Sequence, residues 1–211
     1  MNRRSATARQ TRAYTQRAAE IANQLRTEIA TVPAMPHGRP ALVVVMGLPG
    51  VGKSHIARLL CAELGAAHVA SDELRRRLFI AASYADDENQ AVFAAAGALV
   101  DSLLAAGHRV VLDATNLRAR NRERAASIAR QRDVPVVYVR VDAPDPEVRA
   151  RLAARHAARA PDDHSEADER IYDRMRSEGF EGPAEGYLTL TNGPSLAKEI
   201  AEVVGAIERA R

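Results

Sequence analysis

The stretch from Ala41 to Ser54, ALVVVMGLPGVGKS, constrains this chain more than any other. An apolar, β-branched run (Leu42, Val43, Val44, Val45) reads as a buried strand and stops at Gly47. The octapeptide Gly47-Leu48-Pro49-Gly50-Val51-Gly52-Lys53-Ser54 follows, and then Ile56, Leu59, Leu60 and Leu64 recur at helical spacing. Strand, glycine-rich loop and helix in that order fit the pattern GxxxxGK[ST], whose glycines let backbone N–H groups curl around phosphate oxygens. The helix start adds its own orphan N–H groups and the positive end of its dipole. The motif implies a nucleoside triphosphate held through Gly47, Gly50, Val51, Gly52, Lys53, Ser54 and His55. Lys53 is expected to reach the β- and γ-phosphates, and the Ser54 hydroxyl to ligate Mg²⁺.

The chain takes almost all its positive charge from arginine; Lys53 and Lys198 are its only lysines. A compact ammonium on a flexible stem differs physically from a planar guanidinium, so a lysine at the loop reads as a demand of the site.

At 211 residues the chain is long enough for one domain with a real core, and 46% hydrophobic with 27% charged residues is ordinary globular composition. The single Cys61 lies on the apolar side of the first helix and reads as core. No run approaches a membrane span, and the first residues lack the apolar core of a secretory signal, so the expectation is a cytoplasmic protein with no membrane partner. Residues 1–32 carry six arginines against Glu20 and Glu28, a net of +4, which leaves −1 for the rest of a chain whose total is +3. The body is therefore not broadly basic, and a pI of 9.3 does not by itself announce nucleic-acid binding.

Residues 5–31 read as a helix with one narrow apolar stripe (Tyr14, Ala18, Ile21, Leu25, Ile29), either packed on the domain's flank or docking a partner. Val32 to Pro40 is a linker, so the division is 1–40 for helix and linker and 41–211 for the domain. Ala67–Ala70 reads as a second strand running into Ser71-Asp72-Glu73-Leu74-Arg75. Asp72 can cap the helix that follows, or it can act as a catalytic carboxylate at the carboxyl edge of the sheet, where open α/β folds bind ligands. Arg75, one turn on, can face an anionic substrate. A long Ala-rich helix over 87–106 ends at Gly107 as a C-cap. A third strand over His108–Leu112 ends in Asp113, which resembles the carboxylate that orients Mg²⁺ or its water in phosphate-loop proteins. Thr115 and Asn116 are expected to begin the next helix, with Asn116 either capping it or binding substrate. Arg118, Arg120, Arg122 and Arg124 alternate by two and read as a solvated surface. Pro135–Val141 is a fourth strand, and Asp145-Pro146-Glu147 starts a helix in which Arg151, Arg155 and Arg159 share one face. That face either neutralises charge developing on a triphosphate or is merely exposed. His156 and His164 have no metal spacing. A helix from 165 or 166 to 178, a fifth strand over Tyr187–Thr191 and a last helix from Ser195 complete the alternation, which means a parallel sheet covered on both faces.

The set GLPGVGKS, VASDELRRRL, GHRVVLDATNLRARNR, VRARLAARHAAR and SEADERIYDRM resembles the P-loop kinases related to polynucleotide kinase, including small bacterial proteins of the AAA_33 type labelled "AAA family ATPase". The resemblance spans roughly residues 41–210. It implies an α/β P-loop NTPase three-layer sandwich, with a parallel five-stranded sheet in adenylate-kinase-like order and a helical lid over about 147–177. It implies ATP as donor and Mg²⁺ as cofactor. It assigns Lys53 and Ser54 to phosphates and metal, Asp72 to the general base, Arg75 to an acceptor-side phosphate, Asp113 to the metal, and Arg151 and Arg155 to the donor phosphates. Lys53, Asp72 and Arg155 then carry catalysis, and Asp72, Arg75 and Asn116 meet the acceptor. Ser71 departs from the basic residue that some polynucleotide kinases place before this Asp. The acceptor is a hydroxyl: a polynucleotide 5′-hydroxyl, or a small nucleoside, sugar or antibiotic. A nucleotide-binding regulatory ATPase is the alternative of another class. Nucleobase contacts are expected, by position, from Thr191–Pro194.

Overall fold

The computed structural model describes residues 20, 22–25, 35, 37–79, 86–158 and 169–210. Most of the expected 5–31 helix, Arg159, His164 and the side chain of His156 lie outside these residues. In chain order the elements are β1 (Leu42–Met46), α1 (Lys53–Leu64), β2 (Ala67–Ala70), α2 (Ser71–Leu78), α3 (Asp86–Ala105), β3 (Val110–Asp113), α4 (Ala119–Gln131), β4 (Val136–Asp142), α5 (Asp145–Ala158), α6 (Glu169–Glu178), β5 (Leu188–Thr191) and α7 (Leu196–Arg209).

All strand pairs are parallel and the sheet order is β2-β3-β1-β4-β5. β1 is central, with Leu42 opposite Val110 on one side and Val136 on the other. A strand covered on both faces must be apolar throughout, which is why LVVVM is buried at every position. Alternation divides its side chains between two cores. Leu42, Val44 and Met46 pack with Leu99 and Leu103 of α3 and Ala125 and Ala129 of α4. Val43 and Val45 pack with Ile56 and Leu60 of α1, Val148 of α5 and Val203 of α7. The result is the expected three-layer α/β sandwich in adenylate-kinase-like order. Among the described residues no helix is long and apolar enough to cross a membrane.

Ala22 and Leu25 are buried in the cluster that holds Leu74 and Leu78 of α2, so this turn of the N-terminal segment packs on the domain's flank. Cys61 is half-buried against the second core, and desolvation pushes its thiol up to about 12.

Two boundaries differ from expectation. β3 begins at Val110, two residues later than expected, and the Arg109 side chain just before it holds the Arg39 carbonyl and Glu208. Thr115 and Asn116 do not begin a helix: Asn116 adopts a left-handed φ of 46° and α4 starts only at Ala119.

Gly47 stands at φ 148° directly after β1 and cannot be exchanged without disturbing the sheet. A Cβ there would stand 2.5 Å from the Val141 carbonyl oxygen, which is backbone and cannot swing away. Gly47→Ala is therefore expected to cost on the order of 2 kcal/mol, read as a lower denaturant midpoint. An unchanged midpoint would contradict the packing of the loop on β4.

Candidate active site

The loop delivers Lys53 to the first position of α1, with Gly52 as its N-cap at φ 101°. Gly50 packs against Val148 and Leu152 of α5, where a Cβ would come within 3.0 Å of both side chains, while Val51 is buried. The Lys53 Nζ donates to the Leu48 carbonyl at 2.9 Å, so the ammonium is folded back onto its own loop. Burial drives its pKa below the ordinary lysine value; Asp113 and Asp72 oppose that drop and Arg155 adds to it. His55 is exposed on the helix flank, its N–H bonded to the Gly52 carbonyl.

Asp113 sits at the carboxyl end of β3, almost wholly buried. Burial alone would raise its carboxyl, but hydrogen bonds from His68 and Ser54 and the Lys53 charge outweigh that and hold it below the usual aspartate value. The partner at 3.3 Å is the Nε2 of His68, a residue the sequence reading passed over. β2 and β3 pair Ala70 with Asp113, so His68, two residues earlier, shares the face of the sheet that carries Asp113. Strand alternation could have placed it there, but only once the pairing of β2 with β3 was known.

Asp72 lies in the first turn of α2, with Arg75 one turn on. Burial raises the Asp72 carboxyl above its usual value, and Asp113 adds to that; Lys53, Arg75 and Arg155 pull it back only in part. Arg75 is buried and donates to the Asn89 Oδ1 at 2.7 Å, with Glu88 at 3.8 Å. Asp113 and Arg155 thus both lie in the fields of Lys53 and Asp72, which is how the structure groups four of the expected site residues.

Arg151, on α5, reaches the loop: one Nη donates to the Val51 carbonyl at 3.3 Å and the other to Glu147 at 2.9 Å. The α5 start is fixed differently from a simple Asp cap. The Asp145 carboxylate receives the Tyr172 hydroxyl at 2.7 Å, Arg149 at 3.0 Å and Arg176, so it joins α5 to α6, the two described helices of the expected lid. Those hydrogen bonds hold its carboxyl below the ordinary value.

Two expectations on the β3–α4 connection need correction. Asn116 is fully buried; its Nδ2 donates to the Val45 carbonyl at 2.8 Å, so it neither caps a helix nor faces the cleft. Arg122 is not solvated. It is 3% exposed, lies under the Phe180 ring, and donates to the carbonyls of Asn116 and Glu181. The cap of α4 comes from a distant residue, because Glu181 accepts the Ala119 N–H at 2.7 Å. A periodicity reading assigns partners within a helix and cannot see a carboxylate sixty residues away.

Asp72 and Arg75 line a cleft of about 640 Å³ closed by α3, α4 and α6. A second cavity of about 320 Å³ lies between the loop at Gly47 and Leu48 and the α6 residues Tyr172, Met175 and Arg176. A carboxylate, a half-buried ammonium and arginines of α5 around a glycine loop can hold a polyphosphate and take a proton from a group placed in the cleft.

The AAA_33 family, described as an AAA domain, matches residues 42–182, two thirds of the chain. The chain belongs to the AAA_33 family. The APS kinase CysC of Mycobacterium tuberculosis, solved with AMPPNP and APS, is similar at 22% identity and a TM-score of 0.61, over 82% of this chain and 99% of that one. Kti12 of Chaetomium thermophilum, solved with ADP-AlF3, gives 22% and 0.64 over 79% and 98%. A gluconokinase of Sinorhizobium meliloti 1021 gives 20% and 0.58 over 82% and 94%. No curated protein matches. This AAA_33 chain therefore has the P-loop kinase fold.

The raised Asp72 carboxyl makes a stability prediction. Its ionised form is disfavoured by folding, so the penalty is absent below the unfolded-state value, grows through the interval up to the folded value, and is full above it. Asp72→Asn is expected to raise the thermal midpoint at pH 8 by about 3 °C, the shift that ~1 kcal/mol gives in a chain this size, with the gain fading as the carboxyl protonates. A gain that is instead largest in acid would contradict the assignment.

Proposed function

We propose that this protein transfers the γ-phosphoryl group of ATP to a hydroxyl acceptor, with Mg²⁺. The observation that carries this reading is Asp72: one carboxylate that both lines the cleft and lies in the field of the loop ammonium Lys53. The P-loop kinase fold and the AAA_33 match support it.

The residues fit the groups the reading needs. Mg²⁺ takes oxygen ligands and keeps several waters and phosphate oxygens, so it does not need a cage of protein side chains. Accordingly, no cluster of three His, Cys, Asp or Glu exists among the described residues, while the Ser54 hydroxyl and the Asp113 carboxylate lie side by side at the loop. These two would hold the ion, which when bound would neutralise charge on the β- and γ-phosphates. The loop would cradle the triphosphate through its backbone N–H groups, with Lys53 leaving the Leu48 carbonyl for phosphate oxygens. Arg151 and Arg155, on the α5 face turned to the loop, would add positive charge from the lid side. His68 would steady the Asp113 carboxylate. Nucleobase contacts remain assigned by position to Thr191–Pro194.

In the transfer itself the acceptor hydroxyl forms a bond to the γ-phosphorus and the bond from that phosphorus to the β–γ bridging oxygen breaks, releasing ADP. Asp72 takes the hydroxyl proton. The rest is positioning and charge stabilisation. A raised Asp72 carboxyl is a stronger base than an exposed aspartate, and it is ionised only above its raised value.

Two acceptors fit the reading, a polynucleotide 5′-hydroxyl and a small nucleoside, sugar or antibiotic; the small compounds named for APS kinase and gluconokinase support the second. The test is transfer of labelled γ-phosphate to a 5′-hydroxyl oligonucleotide and to a panel of small hydroxyl compounds. Asp72→Asn is expected to lower kcat by roughly 10²–10⁴-fold while AMPPNP still binds. The acid limb of the wild-type rate profile is expected above the ordinary aspartate range. Bound ATP with no transfer to any acceptor would favour a regulatory ATPase.

A further inference from the structure

We propose that the acceptor is a small hydroxyl compound that also carries an anionic group, and that Arg120 and Arg174 bind this group. The inference rests on the kinase reading and names the class of its substrate.

The cleft that contains Asp72 is unusually rich in guanidinium groups: Arg75, Arg118, Arg120 and Arg174 all line it. Their charges are not equally engaged. Arg118 is met by Glu181 at 2.9 Å and by Glu178 at 3.2 Å, both of which also line the cleft. Arg75 is buried against Asn89 and Glu88. Arg120 and Arg174 are exposed, and among the described residues neither side chain makes an ion pair or hydrogen bond. They come from different walls, Arg120 from the first turn of α4 and Arg174 from α6. Among the described residues the lining therefore has its two glutamates matched by Arg118 and two cations left over, on either side of the space where an acceptor would lie. A guanidinium fork matches phosphate, sulfate and carboxylate oxygens in pairs, and two forks on separate elements select a group placed between them.

Size and composition decide between a small compound and a strand. About 640 Å³ falls within the range of small-ligand pockets, roughly 300–1,000 Å³. Binding a single strand draws on successive aromatic platforms, yet among the described residues lining this cleft Phe93 is the one aromatic, and it is half-buried.

The experiment uses the full chain with the loop saturated by AMPPNP and Mg²⁺, so that phosphate-bearing probes report the cleft and not the loop. Calorimetry compares matched probes with and without an anion: ribose 5-phosphate against ribose, and gluconate against glucose, with a 5′-hydroxyl oligonucleotide as a third arm. An anionic probe is expected to bind at least about tenfold tighter than its neutral partner, and Arg120→Gln with Arg174→Gln to remove that difference. Arg174→Lys, which keeps the charge and loses the fork, is expected to fall between. Equal binding of charged and neutral probes, or an advantage that survives the double substitution, would overturn the proposal. Tight oligonucleotide binding lost in the double variant would overturn the small-compound half and hand the cleft to nucleic acid. The AMPPNP titration that precedes these measurements reads the kinase assignment separately: a wild-type protein that does not bind AMPPNP defeats that assignment, whatever the arginines do.

Discussion

A half-buried ammonium in the fields of two carboxylates is the constraint on which this site depends. Lys53 is folded back onto its own loop, and an isolated charge in such a desolvated place would be costly. Three features make it tolerable: the Leu48 carbonyl that it meets at 2.9 Å, and the fields of Asp113 and Asp72. Each belongs to a different segment. Leu48 comes from the loop after β1, Asp113 from the end of β3, and Asp72 from the start of α2 after β2. The sheet order β2-β3-β1 is what brings these ends together, since it sets three strand termini side by side at one edge. The two carboxylates part company in the same surroundings. Hydrogen bonds from His68 and Ser54 keep Asp113 ionised, whereas burial leaves Asp72 as the more basic group. One is suited to sit against a cation and the other to take a proton.

The parts around this centre are tied to it through backbone atoms. The Gly47 N–H donates to the Thr115 carbonyl at 3.0 Å, and the Asn116 side chain holds the Val45 carbonyl, so the segment after β3 fixes the entry to the loop from two sides. Arg122 then grips the Asn116 carbonyl with one nitrogen and the Glu181 carbonyl with another. Glu181 itself caps α4 just beyond the end of α6. A continuous set of contacts thus runs from the phosphate loop to the C-terminal end of α6. On the other side, Asp145 binds Tyr172 and Arg176 and so keeps α6 against α5, which carries Arg151 and Arg155.

Much of this was legible in the chain. The apolar run at 42–45, the loop after it and the strand-end residues Asp72 and Asp113 could be placed because their signals are local: a buried central strand must be apolar, and a glycine loop before a helix has few other uses. Asn116, Arg122 and His68 were misjudged or missed for the opposite reason. Each takes its role from a partner at a distance in sequence, Val45, Glu181 and Asp113 respectively. Periodicity along one helix read Arg122 as solvated because it contains no information about Phe180 or the Glu181 carbonyl. Arg120 and Arg174 were illegible in the same way: an arginine-rich chain offers many candidates, and what separates these two is a place in the cleft lining without an ion pair or hydrogen bond among the described residues.

The central claim is that Lys53 and Asp72 face one another across the point of phosphoryl transfer. A crystal structure with AMPPNP and Mg²⁺ tests it most directly. The account predicts that the Lys53 Nζ leaves the Leu48 carbonyl for the terminal phosphate and that the Asp72 carboxylate lies on the open side of that phosphate, toward the cleft. A triphosphate seated away from the loop, or an Asp72 carboxylate turned from the terminal phosphate with Lys53 still on Leu48, would contradict it.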